Sequence, residues 1–303
     1  MARAIGKYER FIGIDWSGAK GPSLKGLQVA VCEPGKSTPA LVCPTDHKYW
    51  RRDEVVNWIV KQAAHRRILI GMDFAFAYPF CDAGAYFPGH PESPESPRVL
   101  WSKVDSVCDH EANSDFYGGI FYRNQYSPFR KYFRYPGYKG SCYEDRLRET
   151  EKVCKSLSAH PSCTFKCVGP AQVGPGSVAG MRALHSIAAR HGRILSIWPF
   201  DGVSQSKSTL VEIFPRLFFI LAGRDAHNWK VNGIVNAVLR HFDSELLSGG
   251  ITDYSEDKID ALVSAAALRA LSSSVDVWDL HGRDQENSQF EGWIFGACNK
   301  AQQ

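Results

Sequence analysis

Apolar residues first gather at 10–15, "RFIGID", a run that predicts a buried strand and stops abruptly on Asp15. Two further runs, 24–33 and 39–44, are set apart by glycine and proline, the spacing of an antiparallel meander. Asp53 reads as the N-cap of "EVVNWIVKQAAH", in which Val55, Val56, Ile59 and Val60 make a helical stripe. The segment "RILIGMD" (67–73) predicts a strand that ends, like the first, on an aspartate. The order is therefore three strands, a helix and a strand.

From about Pro79 to Val173 the periodicity breaks, and only "YEDRLRETEKVCKSL" has a helical pattern. A stretch so long and irregular inside a domain is usually functional or a subdomain. The chain reads as a single domain over 1–303 carrying an insertion at 80–165. Regular patterning resumes with a helix, "GSVAGMRALHSIAARHG", and two strands, "RILSIWPF" and "STLVEIFP", the second carrying Glu212 at its end. Helices are expected at about 229–247 and 255–271.

Composition adds constraints. With 44% hydrophobic and 22% charged residues, 303 residues make an ordinary globular chain, neither disordered nor a coiled coil. A net charge of +4 means that attraction to nucleic acid would need a local patch. The N-terminus has no apolar leader core and no later run is long enough for a bilayer, so a cytoplasmic location without membrane contact is expected. Nine cysteines in such a chain read as reduced thiols. Cys142, Cys154, Cys163 and Cys167, with His160, have no tight zinc-knuckle spacing and read as buried thiols of the insertion rather than a zinc site.

The chemistry concentrates in acids at strand ends and at one helix start: Asp15, Asp73, Glu212 and the pair Asp257/Asp260. In layered α/β folds such ends converge on a rim where ligands bind. Asp257 and Asp260, at i and i+3, share a helix face, and Asp260 borders the apolar stripe of Ile259, Leu262, Val263 and Ala266. Gathered carboxylates repel unless hard cations neutralise them, which points to Mg²⁺ or Mn²⁺ as cofactor. Two such ions, roughly 3.5–4 Å apart, clamp the attacking and leaving oxygens of a phosphodiester displacement.

Four segments, "GIDWSGA", "IGMDFAFAYP", "EIFPR" and "DKIDALVSAAAL", together resemble the family filed as domain of unknown function 429, regarded as RNase H-like nucleases. The last segment is also similar to the final helix of Holliday-junction resolvases. The resemblance implies a ribonuclease H-like three-layer α/β fold with a mixed five-stranded sheet and a large irregular insertion after the fourth strand. It implies Asp15, Asp73 and Asp260 as metal ligands, with Glu212 and Asp257 as further acids of the catalytic set. The helix after the third strand offers only Glu54, at its start, a departure that counts against generic cleavage of RNA–DNA hybrids.

Residues 116–140 hold ten Phe/Tyr and five Lys/Arg with no acid. Aromatics interleaved with cations suit stacking on bases and neutralising phosphates, so Arg123, Arg130, Lys131 and Arg134 are candidate substrate contacts. A small aromatic core beneath a basic surface is the structural alternative for most of these rings. "GPAQVGPGSVAG" (169–180) makes Ser177 a candidate N-cap beside free N–H groups for an anion, and Lys20 is within reach of a phosphate. No G-x-S-x-G, H-E-x-x-H or Walker loop occurs. The expected function is a metal-dependent phosphodiesterase or nuclease with nucleic acid as partner. The rivals are an actin-like or sugar-kinase-like phosphotransferase, whose first phosphate loop "GIDWSGAK" loosely resembles, and a non-catalytic nucleic-acid-binding module.

Overall fold

The apolar runs around Asp15 and Asp73 become neighbouring strands at the centre of one sheet. The computed structural model describes residues 7–109, 115–169, 172–231, 233–248 and 253–298. In chain order these form β1 (Arg10–Asp15), β2 (Gln28–Cys32), β3 (Ala40–Val42), α1 (Arg52–His65) and β4 (Ile68–Met72). The insertion then supplies α2 (Pro97–Cys108), α3 (Gly119–Arg123), the hairpin β5 (Arg134–Tyr135) and β6 (Tyr138–Lys139), and α4 (Glu149–Ser156). After it come α5 (Gly174–His191), β7 (Leu195–Ile197), β8 (Ser208–Glu212), α6 (Pro215–Leu221), α7 (Ile234–His241), α8 (Glu256–Leu271) and α9 (Gly282–Glu291).

The protein is α/β, with a mixed sheet of six strands in the order β3-β2-β1-β4-β8-β7. The meander β1–β2–β3 is antiparallel, and β1, β4, β8 and β7 run parallel. Five strands were expected; the sixth is β7, an edge strand held through three residue pairs. The count of five came from the resemblance, whereas the apolar run at 193–200 adds its own strand. All five residues of β4 are buried, as befits a parallel strand covered on both faces.

Side chains alternate between two cores. Ile12, Ile14, Ile70 and Met72 pack with α1, α5 and the insertion, whereas Phe11, Leu69 and Val211 pack with α6, α7 and α8. Gly13 of β1 is the register partner of Gly71 of β4, and both lie under α8. A Cβ at Gly13 would stand 2.4 Å from the Ala261 carbonyl oxygen, and one at Gly71 would meet Ile213 and Leu268 side-chain carbons at 2.6 and 2.8 Å. Two glycines and the alanines of α8 thus let the helix rest almost on the backbone of the central strands.

Several element boundaries differ from the sequence pattern. Helix α1 starts at Arg52 rather than after Asp53, with Arg51 as its cap residue. The Glu54 carboxylate accepts the Arg51 N–H at 3.1 Å, and Asp53 lies in the first turn, paired to Arg51. The insertion is more helical than its composition suggests. Ser96 caps α2 by accepting the Val99 N–H, Pro97 opens it, and Leu100, Trp101, Val104 and Cys108 form its buried face. Helix α4 is shorter than its sequence pattern, and α7 covers only the middle of 229–247, within which residue 232 lies outside the described residues. Among the described residues no helix is long and apolar enough to cross a membrane.

Candidate functional site

Three adjacent parallel strands deliver acids to one sheet edge. Asp15 ends β1, Asp73 follows β4 with its N–H bonded to the Ile14 carbonyl, and Glu212 ends β8. Alternation sends Asp15 and Asp73 to the face of Gly13 and Gly71, the face that α8 covers. There α8 begins, capped by the Ser255 hydroxyl at the Lys258 N–H, and its first turns carry Asp257 and Asp260. The close seating of α8 on Gly13 is what brings Asp260, one residue before Ala261, to the ends of β1 and β4.

A cleft of about 580 Å³ opens at this edge. Its lining includes seven carboxylates (Asp15, Asp73, Glu151, Glu212, Glu256, Asp257 and Asp260) against only Lys20, Arg123 and Arg148 as bases. Asp15, Asp73 and Asp260 are half-buried, and among the described residues no side-chain hydrogen bond or salt bridge reaches their carboxylates. The crowding shows in their acidity. Burial first, and then the charges of Asp73, Asp260, Asp257 and Glu256, push Asp15 well above the usual carboxylate range. Burial and then Glu212 raise Asp73 to about 8. Asp260 is driven well upward by burial, Asp73, Glu256 and Asp257, with Arg216 opposing. Asp257 is raised mainly by burial, and its hydrogen bond to Ser255 opposes the shift.

Glu212 differs from these three. Its parity in β8 sets it on the opposite face, and Arg148 meets it there: Nη1 donates to Oε2 at 2.8 Å and Nη2 donates to Oε1. The Phe76 N–H adds a third bond to Oε2 at 2.9 Å. Arg216, four residues on and close enough in sequence to pair with Glu212, instead has its Nη2 3.3 Å from His227 Nδ1. Glu212 therefore belongs to an ion pair, not to the free acids.

The predicted substrate contacts separate. Arg123 and Lys20 are exposed and line the cleft. Arg130 stacks on Tyr138 at 4.0 Å and donates Nε–H to the Tyr135 hydroxyl, Lys131 lies over Tyr132, and Arg134 sits on the hairpin; none of the three lines the cleft. Most rings of 116–140 are core: Tyr117, Phe121, Tyr122, Phe129, Tyr132 and Phe133 are buried. Tyr126, 82% exposed, is the clear exception, presented by a turn in which Asn124 Oδ1 accepts its N–H.

Ser177 is corrected. Helix α5 starts at Gly174, because Pro175 fits a first helical turn, so Ser177 is inside the helix and fully buried. Its hydroxyl donates to the Val173 carbonyl and accepts the Ala75 N–H, fixing the turn after Asp73 rather than meeting substrate. Residues 170–171 of that glycine-rich stretch lie outside the described residues. The cysteines are free thiols; Cys154, Cys163 and Cys167 are buried, and Cys142 is exposed.

Sequence patterning missed two arginines. Arg52, fully buried, donates Nε–H to the Ser17 carbonyl at 2.7 Å, Nη2–H to the Ala19 carbonyl and Nη1–H to Asp115, so it grips the loop after Asp15 from beneath. Arg148 stands at the N-cap of α4, and its spacing to Glu151, i and i+3, is visible in the sequence.

Among the described residues no three His, Cys, Asp or Glu side chains form a ready-made metal-binding group. What the site offers is hard oxygen donors that repel one another, without an ion pair at Asp15, Asp73 or Asp260 among the described residues and with only Arg216 opposing at Asp260; oxygen donors of this kind suit Mg²⁺ or Mn²⁺. Fold and site thus define an α/β protein with an acid-floored cleft at the ends of its central strands. No protein-family model, curated protein or solved structure matches the chain.

The raised acids set a pH dependence. In the folded protein Asp73 keeps its proton to about 8, whereas the unfolded chain releases it near its ordinary value of 3.8. Between those values the native state binds more protons, so metal-free stability falls as pH rises through that window. Thermal melts in chelator across the window are expected to show a declining Tm for the wild type and a flatter profile for D73N. Identical profiles would refute the protonated Asp73.

Proposed function

We propose that the protein is a divalent-metal-dependent phosphodiesterase that cleaves nucleic acid, on an RNase H-like arrangement of the strands and α8. The observation that carries this reading is the meeting of Asp15, Asp73 and Asp260, from β1, the end of β4 and α8, in one cleft, with no side-chain hydrogen bond or salt bridge to their carboxylates among the described residues. The strand order β3-β2-β1-β4-β8, antiparallel on one side and parallel on the other, supports the fold assignment.

Asp15, Asp73 and Asp260 would hold Mg²⁺ or Mn²⁺, which supplies Lewis-acid polarisation of a phosphoryl oxygen and a more acidic water. The remaining chemistry belongs to the chain. Arg123 and Lys20 at the cleft wall offset the approach of a polyanion to an acidic floor. Tyr126, exposed three residues beyond Arg123, offers a face for a base. Arg52 holds Ser17 and Ala19 by their carbonyls, which keeps the loop beside Asp15 in place.

Labelled single-stranded and duplex DNA and RNA, incubated with Mg²⁺ or Mn²⁺, test the proposal. Cleavage that stops on chelation is the expected result. Intact substrate of every type under both metals would overturn it, and tight binding without cleavage would favour a non-catalytic binding module.

A further inference from the structure

We infer that Arg148 is the built-in second cation of the cleft, so that its floor takes one divalent ion rather than two. The inference rests on the metal-dependent reading above and concerns how that site is charged. Glu212 is the third acid at the strand ends and lines the same cleft as Asp15, Asp73 and Asp260. Here both Glu212 oxygens are engaged by the Arg148 fork, and Oε2 also accepts the Phe76 N–H. A carboxylate has about four lone-pair positions, and three are filled.

Arg148 is held as firmly as its partner. It is 1% exposed and Glu212 is 2% exposed. Its Nε–H donates to Glu151 Oε1 at 3.0 Å and its Nη1 donates again to the Glu291 carbonyl at 2.9 Å. Glu291 in turn accepts the N–H groups of Phe80, Cys81 and Glu149, which ties α9, the insertion and the segment after Asp73 into one support. Four of the five guanidinium donors are thus used. Among the described residues the fifth, on Nη2, has no acceptor, and Arg148 lines the cleft. A planar, permanently charged group with a donor left for a phosphate oxygen supplies the positive charge that a second ion would bring. Removing Arg148 would leave Glu212 and Glu151 buried without their cation, so it is not readily displaced.

Manganese titration of the full-length protein tests this, with calorimetry for the count and electron paramagnetic resonance for the spacing. One Mn²⁺ per chain, with the spectrum of an isolated ion, is expected. The E212Q variant should retain that ion with less than about a tenfold change in affinity, while D73N should lose at least about a hundredfold. A folded R148M variant should gain a second, weaker Mn²⁺ at the Glu212 carboxylate that has lost its guanidinium partner. Two coupled ions in the wild type, an ion lost in E212Q, or a folded R148M that still takes one ion would each overturn the Arg148 inference and leave the metal-dependent reading standing. A wild type that binds no Mn²⁺ would overturn both.

Discussion

Asp15→Asn and Asp260→Asn are each expected to abolish the proposed metal-supported cleavage, by at least about a thousandfold or roughly 4 kcal/mol of barrier, while the protein stays folded. Both substitutions keep side-chain size and remove only the ionised oxygen that a hard cation requires. Neither carboxylate has a side-chain hydrogen bond or salt bridge among the described residues, so no buried partner is orphaned. Each sits among like charges, with burial and neighbouring acids raising its affinity for a proton. The amide relieves that repulsion, and the metal-free variants should melt no lower than the wild type near neutral pH. Cleavage assays with Mn²⁺ beside thermal melts separate the two effects. Full activity in either variant sinks the site assignment.

Gly13→Ala is expected to damage both the fold and the site. Its Cβ would meet the Ala261 carbonyl oxygen at 2.4 Å, the Ala265 nitrogen at 2.6 Å and the Ser264 Cβ at 2.9 Å. Two of the three are helix backbone, which cannot rotate aside, so α8 must lift from β1. Overpacking of this kind costs about 3 kcal/mol at the upper end of its usual range. At roughly 2–4 °C per kcal/mol for a large domain, Tm should fall by about 6–12 °C. Lifting α8 also carries Asp260 away from Asp15 and Asp73, so Mn²⁺ affinity should fall with stability. A melt within about one degree of the wild type, with unchanged Mn²⁺ binding, would show that α8 does not rest on β1 as described.

The strands and α8 were legible because their signals are local, whereas α9, which follows it and was not expected, has a polar sequence without an apolar stripe. An apolar run closed by an acid gives β1 and β4, and a Ser-capped, Ala-rich stripe gives α8. The insertion was harder. Its aromatics read equally as a stacking surface or a core, and burial of Tyr117, Phe121, Tyr122, Phe129, Tyr132 and Phe133 makes most of them core. Ser96-Pro97 was a readable start for α2, hidden by the prolines and glycines around it. Ser177 was misplaced because Gly174-Pro175, which looks like a loop, is the first turn of α5. Trp16 and Ser17 had no sequence explanation. Trp16 is buried against Phe74, with ring centroids 5.5 Å apart, and Ser17 offers its carbonyl to Arg52.

By itself the sequence determined that acids stand at the ends of two apolar strands and on the opening turns of α8, since charge at a strand end or on a helix face is written in nearest neighbours. Only the tertiary structure decided which acids share a face. Asp15 and Asp73 turn toward α8 and remain without a cation, whereas Glu212, one residue out of phase, turns away and finds Arg148, 64 residues earlier. The reason is parity and distance. A one-residue step in a strand reverses the side chain, and the arginine that answers it arrives from an insertion whose place against the sheet no local pattern records.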